Sequence, residues 1–183
     1  CFHMITKLDS LYGMKSLRSI VIFNTWAYGV LPMDRLSVVF PNLEELDIQL
    51  TNLGGDVSST SIPPSLKRLI LPTCGSTPSD NQGYSGSLHI NNANWSKLEE
   101  LDLSCTWASL ADDANVSQWL PSLRVLKMFS IWRPIVFPTD LFECPRLEHV
   151  DFHGSRTQTE VIIPKGAVPS LVYIDLSKTD AIG

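Results

Sequence analysis

The stretch Leu98-Glu99-Glu100-Leu101-Asp102-Leu103-Ser104-Cys105-Thr106 has apolar residues at its first, fourth and sixth positions, and this L-x-x-L-x-L-x-x-T spacing recurs along the chain. The first position is filled by Leu17, Leu43, Leu66, Leu98, Leu123, Leu147 and Leu171. The fourth and sixth are filled by Ile20/Ile22, Leu46/Ile48, Leu69/Leu71, Leu101/Leu103, Leu126/Met128, Val150/Phe152 and Ile174/Leu176. Alternation over so few residues predicts a short strand that turns these side chains inward and the intervening ones outward. No single copy has enough apolar surface to bury itself, so the copies must stack. The predicted fold is an α/β repeat solenoid, a curved stack with a parallel β-sheet on its concave face and mostly irregular or short helical convex segments.

The first leucines are 26, 23, 32, 25, 24 and 24 residues apart, and all but one of these intervals fall within the period of about 20–29 residues that marks leucine-type repeats. The long third interval predicts a loop insertion at 75–83, where glycine, serine, proline, aspartate and asparagine cluster. Three residues before each first leucine stands Met14, Phe40, Pro63, Trp95, Leu120, Cys144 or Val168, read as a core plug. Proline follows the plug in five of the seven copies, at Pro41, Pro64, Pro121, Pro145 and Pro169, and ends the convex segment before the strand. Asp112 to Leu120 and Pro138 to Phe142 are each read as a turn or two of helix. Residues 1–183 are read as one array of about seven repeats. Because the chain opens at Cys1 without a repeat and stops partway through the seventh copy, it is also read as a fragment lacking both caps.

With seven copies of the motif in hand, the chain from about residue 14 to its end resembles the leucine-rich repeat family. Thr25-Trp26-Ala27-Tyr28-Gly29-Val30-Leu31-Pro32 and Thr51-Asn52-Leu53-Gly54-Gly55-Asp56-Val57 resemble the T/N-x-L-x-G-x-I-P continuation of its plant-receptor and protist-surface subclass. The truncated Thr179-Asp180-Ala181-Ile182-Gly183 does so too. Tyr84-Ser85-Gly86-Ser87-Leu88 fits once about eight residues are looped out, whereas the fourth to sixth repeats lack the glycine. The resemblance implies a module in which the sheet and its ascending loops bind a protein or peptide, and it implies no reaction.

Composition narrows the partner. A net charge of −5 leaves no basic excess to neutralise a phosphate backbone, so nucleic acid is disfavoured. No apolar run reaches the roughly 18 residues of a membrane span, so no membrane insertion is expected. Cys1, Cys74, Cys105 and Cys144 show neither C-x-x-C nor paired spacing and are read as free, buried or half-buried thiols. Two sequons, Asn94-Trp95-Ser96 and Asn115-Val116-Ser117, fall in convex segments and lean toward an extracellular or cell-surface setting.

The outward positions can be lined up across neighbouring strands. The residue after each first leucine runs Arg18, Glu44, Lys67, Glu99, Arg124, Glu148, Val172, alternating in sign over six copies, which predicts a lateral ion-pair ladder. Each exposed pair in such a ladder contributes about 0–1 kcal/mol. The central column runs Val21, Asp47, Ile70, Asp102, Lys127, Asp151, Asp175, so the last third of the face is acidic. Paired carboxylates raise glycoside hydrolysis, but an open sheet supplies neither a water-excluding cleft nor a pKa split. His149 and His153 lie four residues apart on one strand, roughly 13 Å at about 3.3 Å per residue, too far to share a zinc ion. No G-x-S-x-G, H-E-x-x-H or phosphate-cradling glycine loop occurs. No catalytic, cofactor-binding or metal-binding residues are therefore assigned, and no enzyme is expected.

Aromatic residues just past the strands are the stronger lead. Trp26, Trp107 and Trp132 share one repeat position, and Phe23 and Phe129 point outward, whereas Trp95 falls in the plug column and is read as core. The residues assigned to partner binding are Asp102, Trp107, Lys127, Phe129, Trp132, Asp151 and Asp175, with Phe129 between two tryptophans as the hot spot. The expected function is the recognition region of a receptor or surface protein that takes a protein or peptide ligand. The alternatives are a self-associating adhesion spacer and the substrate-recruiting arm of an intracellular adaptor or ubiquitin ligase.

Overall fold

A computed structural model describes residues 11–22, 28–30, 33–49, 52–54, 61–71, 87–88, 95–106, 109–110, 115–131, 134–159, 161–166 and 168–179. Each copy of the leucine motif forms one strand. These are β1 (Ser19–Val21), β3 (Glu45–Asp47), β5 (Arg68–Ile70), β7 (Glu100–Asp102), β9 (Val125–Lys127), β10 (His149–Asp151) and β11 (Tyr173–Asp175). They pair in parallel, in the order β1-β3-β5-β7-β9-β10-β11, as a seven-stranded sheet. The register sets like repeat positions opposite one another, as in Leu101 opposite Leu126 and Asp102 opposite Lys127. The fold is the α/β repeat solenoid that the leucine spacing predicts.

One hydrophobic core runs through the stack. Leu43, Leu66, Leu98, Leu123 and Leu147 are fully buried, as are Leu46, Leu69, Leu101, Leu126 and Val150. Each fully buried leucine is worth about 1.5–3 kcal/mol over the same side chain in water. The outermost copies are more open, because among the described residues β1 and β11 each border one strand instead of two. Ile174 is 37% exposed where its equivalents are buried.

The plug column closes each strand's entry. In all seven copies the first leucine's N–H donates to the plug residue's carbonyl, from Leu17 to Met14 at 3.0 Å through Leu98 to Trp95 at 2.9 Å and on to Leu171 to Val168 at 3.2 Å. This is a β-turn, and the recurring proline occupies its second position, where a φ near −65° is wanted. The proline therefore shapes the entry to the strand as well as ending the convex segment. The residue after it ties neighbouring turns together: Ser65 Oγ donates to Leu43 O at 2.8 Å, Ser122 Oγ to Ser96 O at 2.7 Å, and Asn42 Nδ2 to Lys15 O at 2.8 Å. Phe40, Trp95, Leu120 and Cys144 are fully buried plugs.

Behind the sheet the helical pieces are short. The turn read at Asp112 to Leu120 is α2 (Val116–Trp119), and that at Pro138 to Phe142 is a 3₁₀ turn at Leu141–Glu143. A third helical piece escapes the sequence reading: a 3₁₀ turn at Met33–Arg35 runs into α1 (Leu36–Val39), whose Leu36 and Val39 face the core. Their i, i+3 spacing, continued by Phe40, is its only signal.

Two small parallel ladders join the continuation segments, β2 (Tyr28–Val30) with β4 (Asn52–Gly54) and β6 (Ser87–Leu88) with β8 (Ser109–Leu110). Here the structure corrects the alignment. Matching Thr25 to Thr51 would place Gly29 beside Gly55, yet Gly29 lies opposite Leu53. The reason is that β4 begins four residues after Ile48, whereas β2 begins six after Ile22. Ile135 bridges Thr157 in the same manner between the fifth and sixth repeats, which lack the glycine. The loop at 75–83, Cys1, Cys74 and Asn94 lie outside the described residues.

Candidate functional site on the sheet face

The outward surface of the sheet consists of side-by-side columns. In the first, Arg18 Nη1 meets Glu44 at 2.5 Å, Lys67 Nζ meets the same carboxylate at 2.8 Å, and Arg124 grips Glu148 through two bonds of 3.0 and 2.8 Å. The alternating charges thus pair as Arg18–Glu44–Lys67 and as Arg124–Glu148, and among the described residues Glu99 makes no ion pair with Lys67 or Arg124, so the expected ladder forms in part. Hydrogen bonds from Lys67 and then Arg18 hold the Glu44 carboxyl below its ordinary pKa, and the Arg124 hydrogen bond does the same for Glu148. The hydrogen bond to Glu44 raises the Lys67 pKa and that to Glu148 raises the Arg124 pKa, and the charge of Glu99 between them adds a smaller push to both. A shallow depression of about 370 Å³ at the strand entries is lined by Glu99, Arg124, Pro145, Arg146, Glu148 and Ser170. The Arg124–Glu148 pair satisfies much of its charge internally.

The next column, Ser19, Glu45, Arg68, Glu100, Val125, His149, Tyr173, carries contacts that the sequence reading missed. Ser19 Oγ donates to Glu45 at 2.7 Å, and Arg68 bridges Glu45 and Glu100, at 2.9 Å to the latter. Lys127 Nζ approaches Glu100 at 3.7 Å. At the far end the His149 and Tyr173 rings stack, with centroids 4.2 Å apart and planes inclined by 16°. The signal lies one position over from the alternating column, but its mixed residue types show no pattern until the strands are placed in register.

In the central column, pointing outward does not mean being open to solvent. Asp102 is 8% exposed, and Asp47 and Ile70 are buried as well, with Arg68 and Lys127 reaching along the sheet beside them. Asp102 Oδ1 accepts the Ser104 N–H at 3.0 Å, Asp151 Oδ1 that of His153 at 2.9 Å, and Asp175 Oδ1 that of Ser177 at 2.9 Å. The recurring aspartate thus closes an Asx turn at the strand's end, which gives the L-D-L pattern a structural role. Burial pushes the Asp102 carboxyl above its ordinary pKa against the pull of these bonds and of Lys127. The Ser177 hydrogen bonds hold Asp175 below its ordinary value.

Of the residues assigned to partner binding, the sheet brings Asp102, Lys127, Asp151 and Asp175 into one row on adjacent strands. Phe129 is half-buried two residues beyond Lys127, its carbonyl accepting the Cys105 N–H at 2.9 Å and its N–H donating to Ser104 Oγ at 3.3 Å. Trp107 and Trp132, like Phe23 and Trp26, lie outside the described residues. The row of Phe129 continues into His153 and Ser177, whose Nδ1 and Oγ are 2.7 Å apart, with Asp175 3.9 Å from the same imidazole.

The last three strands therefore present a patch of Val125, His149 and Tyr173, then Lys127, Asp151 and Asp175, then Phe129, His153 and Ser177. Among the described residues neither Asp151 nor Asp175 pairs with a lysine or arginine. Glu44, Glu45, Glu100 and Glu148 do, whereas Asp47 and Asp102, in the column of these two aspartates, do not but are buried, so Asp151 and Asp175 are that column's accessible acids among the described residues. No group of three or more histidine, cysteine or carboxylate side chains among the described residues is arranged to hold a metal ion. No described helix is long and apolar enough to cross a membrane. Cys105 is half-buried and Cys144 buried, and burial raises the Cys144 pKa to about 12. Comparison with protein-family models, curated proteins and solved structures returns no match.

Proposed function

We propose that the chain is a leucine-rich repeat array that recognises a protein or peptide, and that its recognition surface is the outward sheet face of the last three repeats. The leucine spacing, the in-register parallel strands and the plug-proline turn in successive copies support the family. The observation that carries the binding reading is the accessibility of the central aspartates. Asp47 and Asp102 are buried, whereas Asp151 and Asp175 are half-exposed without an arginine or lysine ion pair among the described residues, beside the His149–Tyr173 stack and Phe129. A segment bearing arginine or lysine fits that surface, its cations pairing with the carboxylates and its apolar stems or guanidinium planes lying on the rings. The rigid scaffold holds these contacts at fixed spacing and so limits the ordering cost of binding.

Selection from a displayed random-peptide library tests the reading. Enriched sequences should carry lysine or arginine, and enrichment should vanish with Phe129→Asp combined with charge reversal at Asp151. Enrichment that survives these changes together with charge reversal at Asp102 and Asp175 removes the sheet face as the site.

A further inference from the structure

Asn115-Val116-Ser117 is an N-x-S sequon, and the structure shows how its side chain is used. Asn115 is exposed and caps α2: its Oδ1 accepts the Gln118 N–H at 3.1 Å and lies 3.2 Å from the Ser117 hydroxyl. Among the described residues its Nδ2 has no partner. Asn42 provides the contrast, since its Nδ2 is spent on Lys15 O. At Asn115 the oxygen is committed to the helix start and the nitrogen is left open to solvent.

The setting favours an attachment. α2 belongs to the returning segment between β8 and β9, away from the outward face of the sheet, and packs against the 3₁₀ turn at Leu141–Glu143. The Ser117 N–H donates to Asp140 Oδ2 at 2.6 Å, which fixes the backbone beside Asn115 without engaging Nδ2. We infer that Asn115 is an acceptor for an N-linked oligosaccharide. The donor class is an oligosaccharide on a lipid diphosphate. Nδ2 gives up one proton and bonds to the anomeric carbon, the bond from that carbon to the diphosphate oxygen breaks, and the lipid diphosphate leaves with the electron pair. Because the new bond forms at nitrogen, Oδ1 keeps its hydrogen bond to Gln118 and the cap survives. A glycan here is bulky and solubilising and stands on the returning side, so the sheet face stays open. The inference does not depend on the binding reading and stands or falls separately.

Translation of the full chain, fused to a secretory leader, into endoplasmic-reticulum microsomes tests it, read by glycosidase-sensitive mass and by mapping of the peptide that contains residue 115. The wild-type chain and Ser117→Thr should carry a glycan on that peptide, and Asn115→Asp and Ser117→Ala should not. Asn115→Asp keeps an acceptor oxygen for the cap, so the purified variant should melt as the unglycosylated wild type does. An unmodified residue 115 in the translocated wild-type chain, or a glycan that persists there in Ser117→Ala, overturns the inference.

Discussion

Ser155 shows how a single hydroxyl holds two repeats together. It is fully buried, donates to the Met128 carbonyl and accepts the Ile131 N–H at 2.9 Å, both from the preceding copy. Ser155→Ala strands both groups, and the loss should be about 1–3 kcal/mol in chemical denaturation. A change within scatter would mean that the gap is rehydrated. Asp102 makes a subtler case, because its Asx bond stabilises while its buried charge costs. The folded pKa lies above the unfolded one, so the charge is a burden at neutral pH that is relieved as pH falls through the folded value. Asp102→Asn keeps an oxygen for Ser104 and should be at least as stable as wild type at pH 7, whereas Asp102→Ala should lose about 1 kcal/mol. Cys144 works in the alkaline direction. Its folded pKa of about 12 exceeds the ordinary thiol value, so stability should fall as pH rises through the interval between them. Cys144→Ala, although less stable at pH 7 because of its cavity, should lack that component in melts taken across alkaline pH.

At the scale of elements, the strands are only three residues long, so their stability comes from the neighbours they pack against. Leu126 is fully buried between the equivalent Leu101 and Val150. Leu126→Ala should cost about 2–5 kcal/mol, whereas Ile174→Ala in β11, where the same position is already 37% exposed, should cost clearly less. Equal losses at the two sites, measured by denaturation, would contradict a stack whose repeats are stabilised by nearest neighbours. This nearest-neighbour character is also why the strands were legible. Leu17 to Leu171, their inward partners and the plug residues repeat at fixed spacing, and repetition makes a local pattern decisive. The small ladders were not legible in register, because Gly29 and Gly55 look equivalent in sequence while the intervals leading to β2 and β4 differ in length. α1 was missed because Leu36, Val39 and Phe40 amount to one turn of a pattern.

For the whole molecule, the columns matter more than any one strand. The ion pairs of the column from Arg18 to Glu148 were readable because its signs alternate. The bridge through Glu45, Arg68 and Glu100 and the His149–Tyr173 stack appear only once the strands are in register. The Asx turns at Asp102, Asp151 and Asp175 depend on backbone conformation after the strand, which the sequence does not display. The net effect is a face on which arginine or lysine binds Glu44, Glu45, Glu100 and Glu148, Asp47 and Asp102 are buried, and Asp151 and Asp175 remain accessible without such a partner among the described residues. A calorimetric titration of an arginine-rich peptide into the wild-type chain and into the Asp151→Asn/Asp175→Asn variant, at low and physiological salt, tests this claim most directly. The account predicts binding that weakens with salt, and a loss of at least about tenfold in the variant, equivalent to about 1.4 kcal/mol. An affinity unchanged in the variant, or equal affinity for an acidic peptide of the same length, would contradict it.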